Sequence, residues 1–212
     1  MDFFLIITEW TGTIAFAMSG ALLGIRKNLD IFGVMLLAVI TALGGGTVRD
    51  LLIGQLPPKM FYSSSYLLMS VIVALFIFIV ARILHRVPFI GNWWDCIFTF
   101  CDAMGLGIFA VIGTQNAIAT GYIENTFLCI FMGMTTGVGG GVIRDIMCAE
   151  IPAVLRKHIY AVAAILGSLS YYYLFYFGMN NTFASCISIA LTVILRMFAS
   201  HYRWNLPKAS ID

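Results

Sequence analysis

Charged side chains are scarce in this sequence of 212 residues, in which aspartate, glutamate, lysine and arginine together supply 10% of the chain. A soluble domain carries about 25% charged residues. Hydrophobic residues make up 61%, and they lie in runs longer than the core of a small soluble domain requires. The composition therefore predicts an integral membrane protein with almost no domain outside the bilayer.

Paired metal-binding and catalytic residues are also lacking. The five cysteines form no Cys-x-x-Cys pair, and most of them lie within apolar runs, which favours small buried hydrophobic residues over a disulfide framework or a zinc site. No Ser-His-Asp or Cys-His combination is visible. The first apolar run has no basic leader and carries Glu9, so we interpret it as a retained span and not as a signal peptide. We expect no enzyme activity, no cofactor, no metal site and no nucleic-acid partner.

Seven apolar runs are long enough to span a bilayer, which takes about 20 residues. They lie near residues 3–25, 31–53, 65–84, 96–118, 123–147, 159–178 and 182–199. Aromatic residues at the ends of these runs are expected to anchor the chain at the interface. They are Tyr62, Tyr66, Trp93, Trp94 and Trp204.

The positions of the basic residues predict the orientation of the chain. With the N-terminus outside, Lys59 alone of the twelve lysines and arginines lies on an outer segment. Nine lie on inner segments: Arg26, Lys27, Arg82, Arg86, Arg156, Lys157, Arg196, Arg203 and Lys208. We therefore expect a multi-pass protein of the cell inner (plasma) membrane with a cytoplasmic C-terminus.

One motif occurs twice, which indicates an internal repeat. Gly44-Gly45-Gly46-Thr47-Val48-Arg49-Asp50 returns 95 residues later as Gly139-Gly140-Gly141-Val142-Ile143-Arg144-Asp145, and Glu9 corresponds to Asp102 at a spacing of 93 residues. Each copy holds three spans, an odd number, so the second copy must cross the membrane in the opposite direction. The predicted fold is an all-α membrane protein of two inverted three-helix repeats, residues 1–87 and 88–179, followed by a seventh helix and a C-terminal tail, residues 180–212.

The glycine triplets have two physical interpretations. Three adjacent glycines weaken a helix by about 3 kcal/mol relative to alanines, so each triplet could unwind and expose carbonyl oxygens suited to a cation. Alternatively, glycines allow another helix to approach closely. Because both triplets occupy equivalent positions and precede Arg-Asp, we favour a functional break at Gly44–Gly46 and at Gly139–Gly141.

The Arg-Asp pairs that follow the triplets supply the charge of the predicted site. Adjacent helical residues project about 100° apart, so we do not expect Arg49 to pair with Asp50 or Arg144 with Asp145. The inverted symmetry suggests crossed pairs, Arg49 with Asp145 or Asp102 and Arg144 with Asp50 or Glu9; the alternative is that both arginines extend to the headgroups. Four acidic residues against two arginines leave an excess of two negative charges, which favours a cation over an anion.

The doubled Gly-Gly-Gly-x-x-Arg-Asp motif in the second and fifth of seven spans resembles the prokaryotic trimeric intracellular cation (TRIC) channels. The resemblance implies a homotrimer in which each protomer has its own pore, kinked at the two triplets with Arg49, Asp50, Arg144 and Asp145 beside them, and it implies conduction of monovalent cations, chiefly potassium. Some bacterial relatives are described as glycine transporters.

We therefore predict a potassium-preferring cation channel with a pathway between spans one, two, four and five, and with potassium or sodium ions and membrane lipids as its partners. The alternative is a secondary transporter of a small zwitterion such as glycine. A membrane scaffold without transport activity is a third possibility.

Overall fold

The computed structural model describes residues 3–83, 92–156, 159–202 and 204, excepting the side chains at positions 92, 93 and 156. The anchor predicted at Trp93, the boundary between residues 87 and 88, and the basic side chains of Arg86, Arg156, Lys157, Arg203 and Lys208 lie outside this description.

Helices account for nearly all of the described chain. They are α1 (Phe3–Arg26), α2 (Ile31–Ile53), α3 (Ser65–Ile83), α4 (Asn92–Ala117), α5 (Thr126–Met147), α6 (Ala153–Arg156), α7 (Tyr160–Tyr176) and α8 (Asn181–His201), together with a 3-10 turn at Lys59–Phe61 and a π-helical turn at Ile118–Tyr122. Six of the long helices have the length and apolarity to cross a membrane. The seventh, α7, has 17 residues, which is the lower limit for a span. The predicted fold class is confirmed.

The helices pack as two related groups of three. In the first copy α1 contacts α2 and α3, and in the second copy α4 contacts α5 and α7 in the same way. The copies meet through α1 with α4 and through α2 with α5, while α8 lies against α4 and α7 of the second copy. The helix that stands outside the repeat therefore packs mainly on the second copy.

Equivalent turns lead into α2 and α5. Asp30 caps α2 and Asn125 caps α5, and each side chain accepts a hydrogen bond from the backbone N–H three residues later. Each cap follows a residue in the left-handed region, Asn28 at φ 55° and Gly121 at φ 93°. The interval from the left-handed residue to the cap is two residues longer in the second copy, which accounts for the change in spacing from 93 to 95.

An aromatic pair lies where the first helices of the two copies meet. Phe16 and Phe109, which are equivalent residues, stack with their ring centroids 5.3 Å apart. A Cβ atom on Gly12 would lie 3.2 Å from the Phe109 ring, and one on Gly105 would overlap the Phe16 ring. Each phenylalanine thus covers a glycine of the other copy, as a two-fold relation between the copies requires.

Candidate functional site

Both glycine triplets lie inside uninterrupted α-helices. Residues 31–53 and 126–147 are helical throughout, and none of the six triplet glycines has a positive φ. The breaks predicted at Gly44–Gly46 and Gly139–Gly141 are therefore wrong. A helix inside a membrane protein keeps its backbone hydrogen bonds where no other polar group replaces them. Here a second helix packs against each triplet.

The middle glycine of each triplet is the point at which α2 and α5 cross. A Cβ atom on Gly45 would overlap the carbonyl oxygen of Thr136, and a Cβ atom on Gly140 would overlap that of Thr41. The two contacts are equivalent, since both glycines and both threonines are 95 residues apart. Close helix packing, the alternative interpretation of the triplets, is what the structure shows.

The third glycine of each triplet lies beside the arginine three residues later. A Cβ atom on Gly46 would be 3.8 Å from Nη2 of Arg49, and one on Gly141 would be 3.6 Å from Nη2 of Arg144. The Tyr160 hydroxyl also faces Gly141, at 2.8 Å from such a Cβ atom. Each guanidinium group therefore lies along its own helix, in van der Waals range of a Cβ atom at the third glycine.

Each arginine pairs with the aspartate that follows it. Nε and Nη2 of Arg49 donate to Oδ1 of Asp50 at 2.9 and 2.7 Å, and the same atoms of Arg144 bind Oδ1 of Asp145 at 2.9 and 2.8 Å. The prediction that these neighbours would not pair is wrong, and so are the predicted crossed pairs. The arginine side chain is long and flexible enough to bridge the angle between adjacent positions on the helix.

The second carboxylate oxygen of each aspartate holds the segment that follows the helix. Oδ2 of Asp50 accepts the backbone N–H of Lys59 at 2.9 Å, and Oδ2 of Asp145 accepts that of Ala153 at 2.8 Å. Lys59 opens the 3-10 turn and Ala153 opens α6. The repeated Arg-Asp motif therefore joins a buried guanidinium group to the start of the next helical turn.

The second Arg-Asp site, which we define as Asp102, Arg144 and Asp145, is buried, and its arginine binds a third residue. Nη1 of Arg144 donates to Oδ1 of Asp102 on α4 at 2.7 Å and to Oγ of Ser19 on α1 at 2.5 Å. Arg144 is 1% exposed, and its Cζ lies 5.1 Å from the centroid of the Phe98 ring. The alternative in which this arginine extends to the headgroups is thus contradicted.

The first Arg-Asp site, which we define as Glu9, Arg49 and Asp50, lacks the corresponding bridge. Glu9 is the equivalent of Asp102, but its Oε2 accepts a hydrogen bond from the Tyr66 hydroxyl at 2.6 Å, and no hydrogen bond to Arg49 is present among the described residues. Ile112 stands at the position equivalent to Ser19. Tyr66, which the sequence predicts as an interfacial anchor, holds an acidic side chain of the site.

A cavity of about 380 Å³ opens at the first site. Glu9, Arg49, Asp50, Lys59 and Tyr66 line it together with residues of α1, α2 and α4. Lys59 was expected on an outer loop; it lines this cavity and donates from Nζ to Oδ1 of Asn116 at 2.7 Å. Counting Lys59 lowers the predicted excess of negative charge from two to one.

A smaller cavity of about 210 Å³ lies at the second site. Arg26, Phe98, Arg144, Asp145 and Glu150 are among its lining residues. Glu9 and Arg26 lie near opposite ends of α1, about 25 Å apart along the helix. The two Arg-Asp sites therefore face cavities toward opposite ends of the bundle, with the α2–α5 crossing between them.

Arg196 is a buried residue that the sequence analysis placed on an inner segment. It is 2% exposed, its Cζ lies 4.9 Å from the centroid of the Tyr160 ring, and its Nε has no hydrogen-bond partner within the described part of the chain. Its position between Leu195 and Met197 in an apolar helix is the signal that indicates burial. The sequence indicates less clearly that Lys59 lines a cavity, since this lysine follows Pro57-Pro58 in a linker, where a solvent-exposed lysine is expected.

The family model described as "Glycine transporter" matches the chain twice, at residues 6–82 and 99–176. These two segments cover more than two thirds of the chain. The chain belongs to this family. The two matches also lie on the two copies of the repeat that the glycine motif indicated.

Relatives in the glycine-transporter family extend over almost the whole chain. A UPF0126 membrane protein of Vibrio cholerae is 36% identical over 96% of this chain and 82% of its own length. The UPF0126 inner membrane protein YadS of Escherichia coli is 34% identical over 95% of this chain and 94% of its own length.

Solved TRIC structures share both fold and sequence with this member of the family. A TRIC trimeric intracellular cation channel orthologue from Rhodobacter sphaeroides is 33% identical and superposes with a TM-score of 0.86, covering 96% of this chain and all of the other. A prokaryotic TRIC channel crystallised in 0.5 M KCl is 36% identical with a TM-score of 0.86, covering 97% of this chain and 100% of the other. The predicted membership of the TRIC family is confirmed.

Proposed function

We propose that the chain is a monovalent cation channel that prefers potassium, with a pathway inside each protomer. The proposal rests chiefly on the large cavity at the first Arg-Asp site, where Glu9 and Asp50 present carboxylates, in a chain similar to a TRIC cation channel over its whole length. The pathway continues toward the second site, whose smaller cavity lies at the other end of α1.

Four elements surround this proposed pathway. Residues of α1, α2 and α4 line the large cavity, and residues of α1, α4 and α5 line the small one. These are the four spans that the sequence analysis selected. Tyr66 adds α3 at the large cavity. In this proposal the glycine triplets set the distance between α2 and α5 and so the width of the passage, and the charged residues of the two sites line its ends.

Purified protein in a planar bilayer under a potassium chloride gradient tests the proposal. We expect discrete conductance steps that reverse near the potassium equilibrium potential. Glu9→Gln should reduce the preference for cations over chloride because it removes a carboxylate from the cavity. Glu124→Gln is the matched control, since Glu124 is an exposed acid in the turn before α5. Absence of steps, or reversal near the chloride potential, would contradict the proposal.

A carrier of a small zwitterion is the second candidate, and one observation favours it. The large cavity presents both a carboxylate, Glu9, and the cationic groups of Arg49 and Lys59, which together suit an ammonium and a carboxylate on one small molecule. The family description as a glycine transporter agrees with this arrangement. Saturable uptake of glycine into liposomes without conductance steps would support the carrier over the channel.

The assembly and orientation complete the proposal. We place the protein in the inner membrane as a homotrimer with its N-terminus outside, divided into residues 1–87, 88–179 and 180–212. The matched segments 6–82 and 99–176 agree with this division, and the inner-membrane relative and the trimeric orthologue agree with the location and assembly. Native mass spectrometry should give three chains per particle, and a C-terminal tag should be accessible in inverted membranes only.

A further inference from the structure

The two Arg-Asp sites use their arginines in nearly the same way, and the difference is a single nitrogen. Nε and Nη2 of Arg144 bind Asp145, which leaves Nη1 for Asp102 on the neighbouring helix. Nε and Nη2 of Arg49 bind Asp50 in the same manner. Nη1, the atom that binds Asp102 at the second site, is therefore not bound by Asp50 at the first.

The acidic residue that would complete the first site faces the same cavity as that arginine. Glu9 and Arg49 both line the large cavity. Glu9 is held away from Arg49 by the Tyr66 hydroxyl, which donates to Oε2 at 2.6 Å. Tyr66 belongs to the first turn of α3 and also packs on Trp10, with ring centroids 5.6 Å apart.

We propose that Glu9 is a gate that exchanges partners between Tyr66 and Arg49. In the state described here Glu9 binds Tyr66 and the large cavity is open. In the closed state the Glu9 carboxylate accepts from Nη1 of Arg49, which reproduces the bridge between Asp102 and Arg144 at the second site, where the cavity is about 210 Å³ and not about 380 Å³. The second copy supports this argument because its arginine holds Asp102, the residue equivalent to Glu9, through the same Nη1 atom. Tyr66 is then a positioning residue that acts through Glu9.

The inference rests on the proposed function only in that the cavity is part of a permeation pathway. Its geometric content is separate: the charged pair either closes the cavity or leaves it open. A carboxylate and a guanidinium group that share a cavity attract one another, and a bond between them is charge-assisted on both sides. Removing the tyrosine hydroxyl should therefore transfer Glu9 to Arg49.

Thiol accessibility measures the gate without any ion current. Thr13→Cys places a reporter one turn deeper than Glu9 on α1, and Ser63→Cys places one in the linker before α3; both residues line the cavity. The five native cysteines, Cys96, Cys101, Cys129, Cys148 and Cys186, are first replaced by alanine. The probe is a small, positively charged thiosulfonate applied to the purified protein.

Tyr66→Phe should slow modification of the Thr13→Cys reporter about tenfold, which corresponds to ~1.4 kcal/mol, and should leave the Ser63→Cys reporter unchanged. Adding Glu9→Gln to Tyr66→Phe should restore the original rate, because the amide carries no charge for Arg49 to bind. Tyr62→Phe is the matched control, since Tyr62 is an exposed tyrosine in the linker that precedes α3. Circular dichroism checks that each variant retains its helices.

Recovery in the double variant separates a gate from a structural role, since a merely loosened α3 would not be repaired by changing Glu9. Unchanged reactivity in Tyr66→Phe, or slowing that Glu9→Gln does not reverse, overturns the gate. A protein that shows the exchange but no conductance keeps the gate and loses the channel. A conducting protein without the exchange keeps the channel and loses the gate.

Discussion

The first and second Arg-Asp sites share a motif, a helix crossing and a pairing geometry, yet the first faces a cavity of about 380 Å³, whereas the second faces one of about 210 Å³ and its arginine also binds Asp102. Around the motif the copies differ. The second site has Asp102 and Ser19 within reach of its arginine, whereas the equivalent positions at the first site hold Glu9, which binds Tyr66, and Ile112.

The comparison separates what the motif determines from what its surroundings determine. The motif determines the pairing of each arginine with the next aspartate and the bond from that aspartate to the following helical turn, because both are the same in the two copies. The surroundings determine whether the arginine also binds a third residue. The extra helix α8 adds to the difference, because it brings Arg196 against Tyr160 beside the second site alone.

The largest expected effect separates the two arginines. Arg144→Gln leaves the buried carboxylates of Asp102 and Asp145 without their cation, and we expect it to lower the free energy of unfolding by about 3–5 kcal/mol. Arg49→Gln affects a single partner, Asp50, beside a cavity, and should cost roughly 1–3 kcal/mol. Denaturant unfolding in mixed micelles, followed by circular dichroism, measures both.

Asp102→Asn provides the control for this first prediction. Combined with Arg144→Gln, it should recover part of the lost stability because one of the two stranded charges is removed. Equal losses in Arg49→Gln and Arg144→Gln would show that the sites do not differ energetically, and the comparison would fail.

The glycine crossing should respond equally in the two copies. A Cβ atom on Gly45 or Gly140 meets a backbone carbonyl oxygen that cannot move alone, so Gly45→Ala and Gly140→Ala should each cost about 2–3 kcal/mol of unfolding free energy. Gly46→Ala is the control, since its Cβ would lie 3.8 Å from Nη2 of Arg49, an ordinary contact, and alanine should stabilise the helix by up to ~1 kcal/mol. A loss in only one of the first two variants would refute the two-fold crossing.

The smallest effect concerns the hydroxyl that only the second site has. Ser19→Ala removes the oxygen that accepts from Nη1 of Arg144, and we expect a loss of about 1–2 kcal/mol in the same unfolding measurement. Ser70→Ala is matched in burial but removes only a bond to the backbone of its own helix, to the carbonyl of Tyr66, so it should cost less. Equal losses would show that Ser19 does not stabilise the second Arg-Asp site.

The apolar runs and the repeated motif in the sequence were sufficient to predict the fold. Apolar runs located all seven long helices, even where the turn between Tyr176 and Asn181 is short, because spans must bury their backbone and therefore have a characteristic length. The doubled motif located the inverted repeat, since equivalent residues must recur at a nearly constant spacing.

The details of the site could not be predicted in the same way. The break at the triplets was inferred from the low helix propensity of glycine, which a crossing helix overrides. The pairing of Arg49 with Asp50 depends on the flexibility of a long side chain, which angular projection on a helix ignores. The roles of Lys59 and Arg196 depend on tertiary neighbours, Asn116 and Tyr160, that lie distant in the sequence.

The longer connection before Asn125 has a practical consequence for anyone who labels this protein. The second copy has two extra residues in this connection, yet α5 still crosses α2 at the equivalent glycine. Gly121, Tyr122, Glu124 and Asn125 are exposed. A fluorophore or epitope inserted between Gly121 and Glu124 would use a position where the duplicated sequence has already changed length. Such a label would report on one end of the bundle and leave both glycine contacts of the α2–α5 crossing in place.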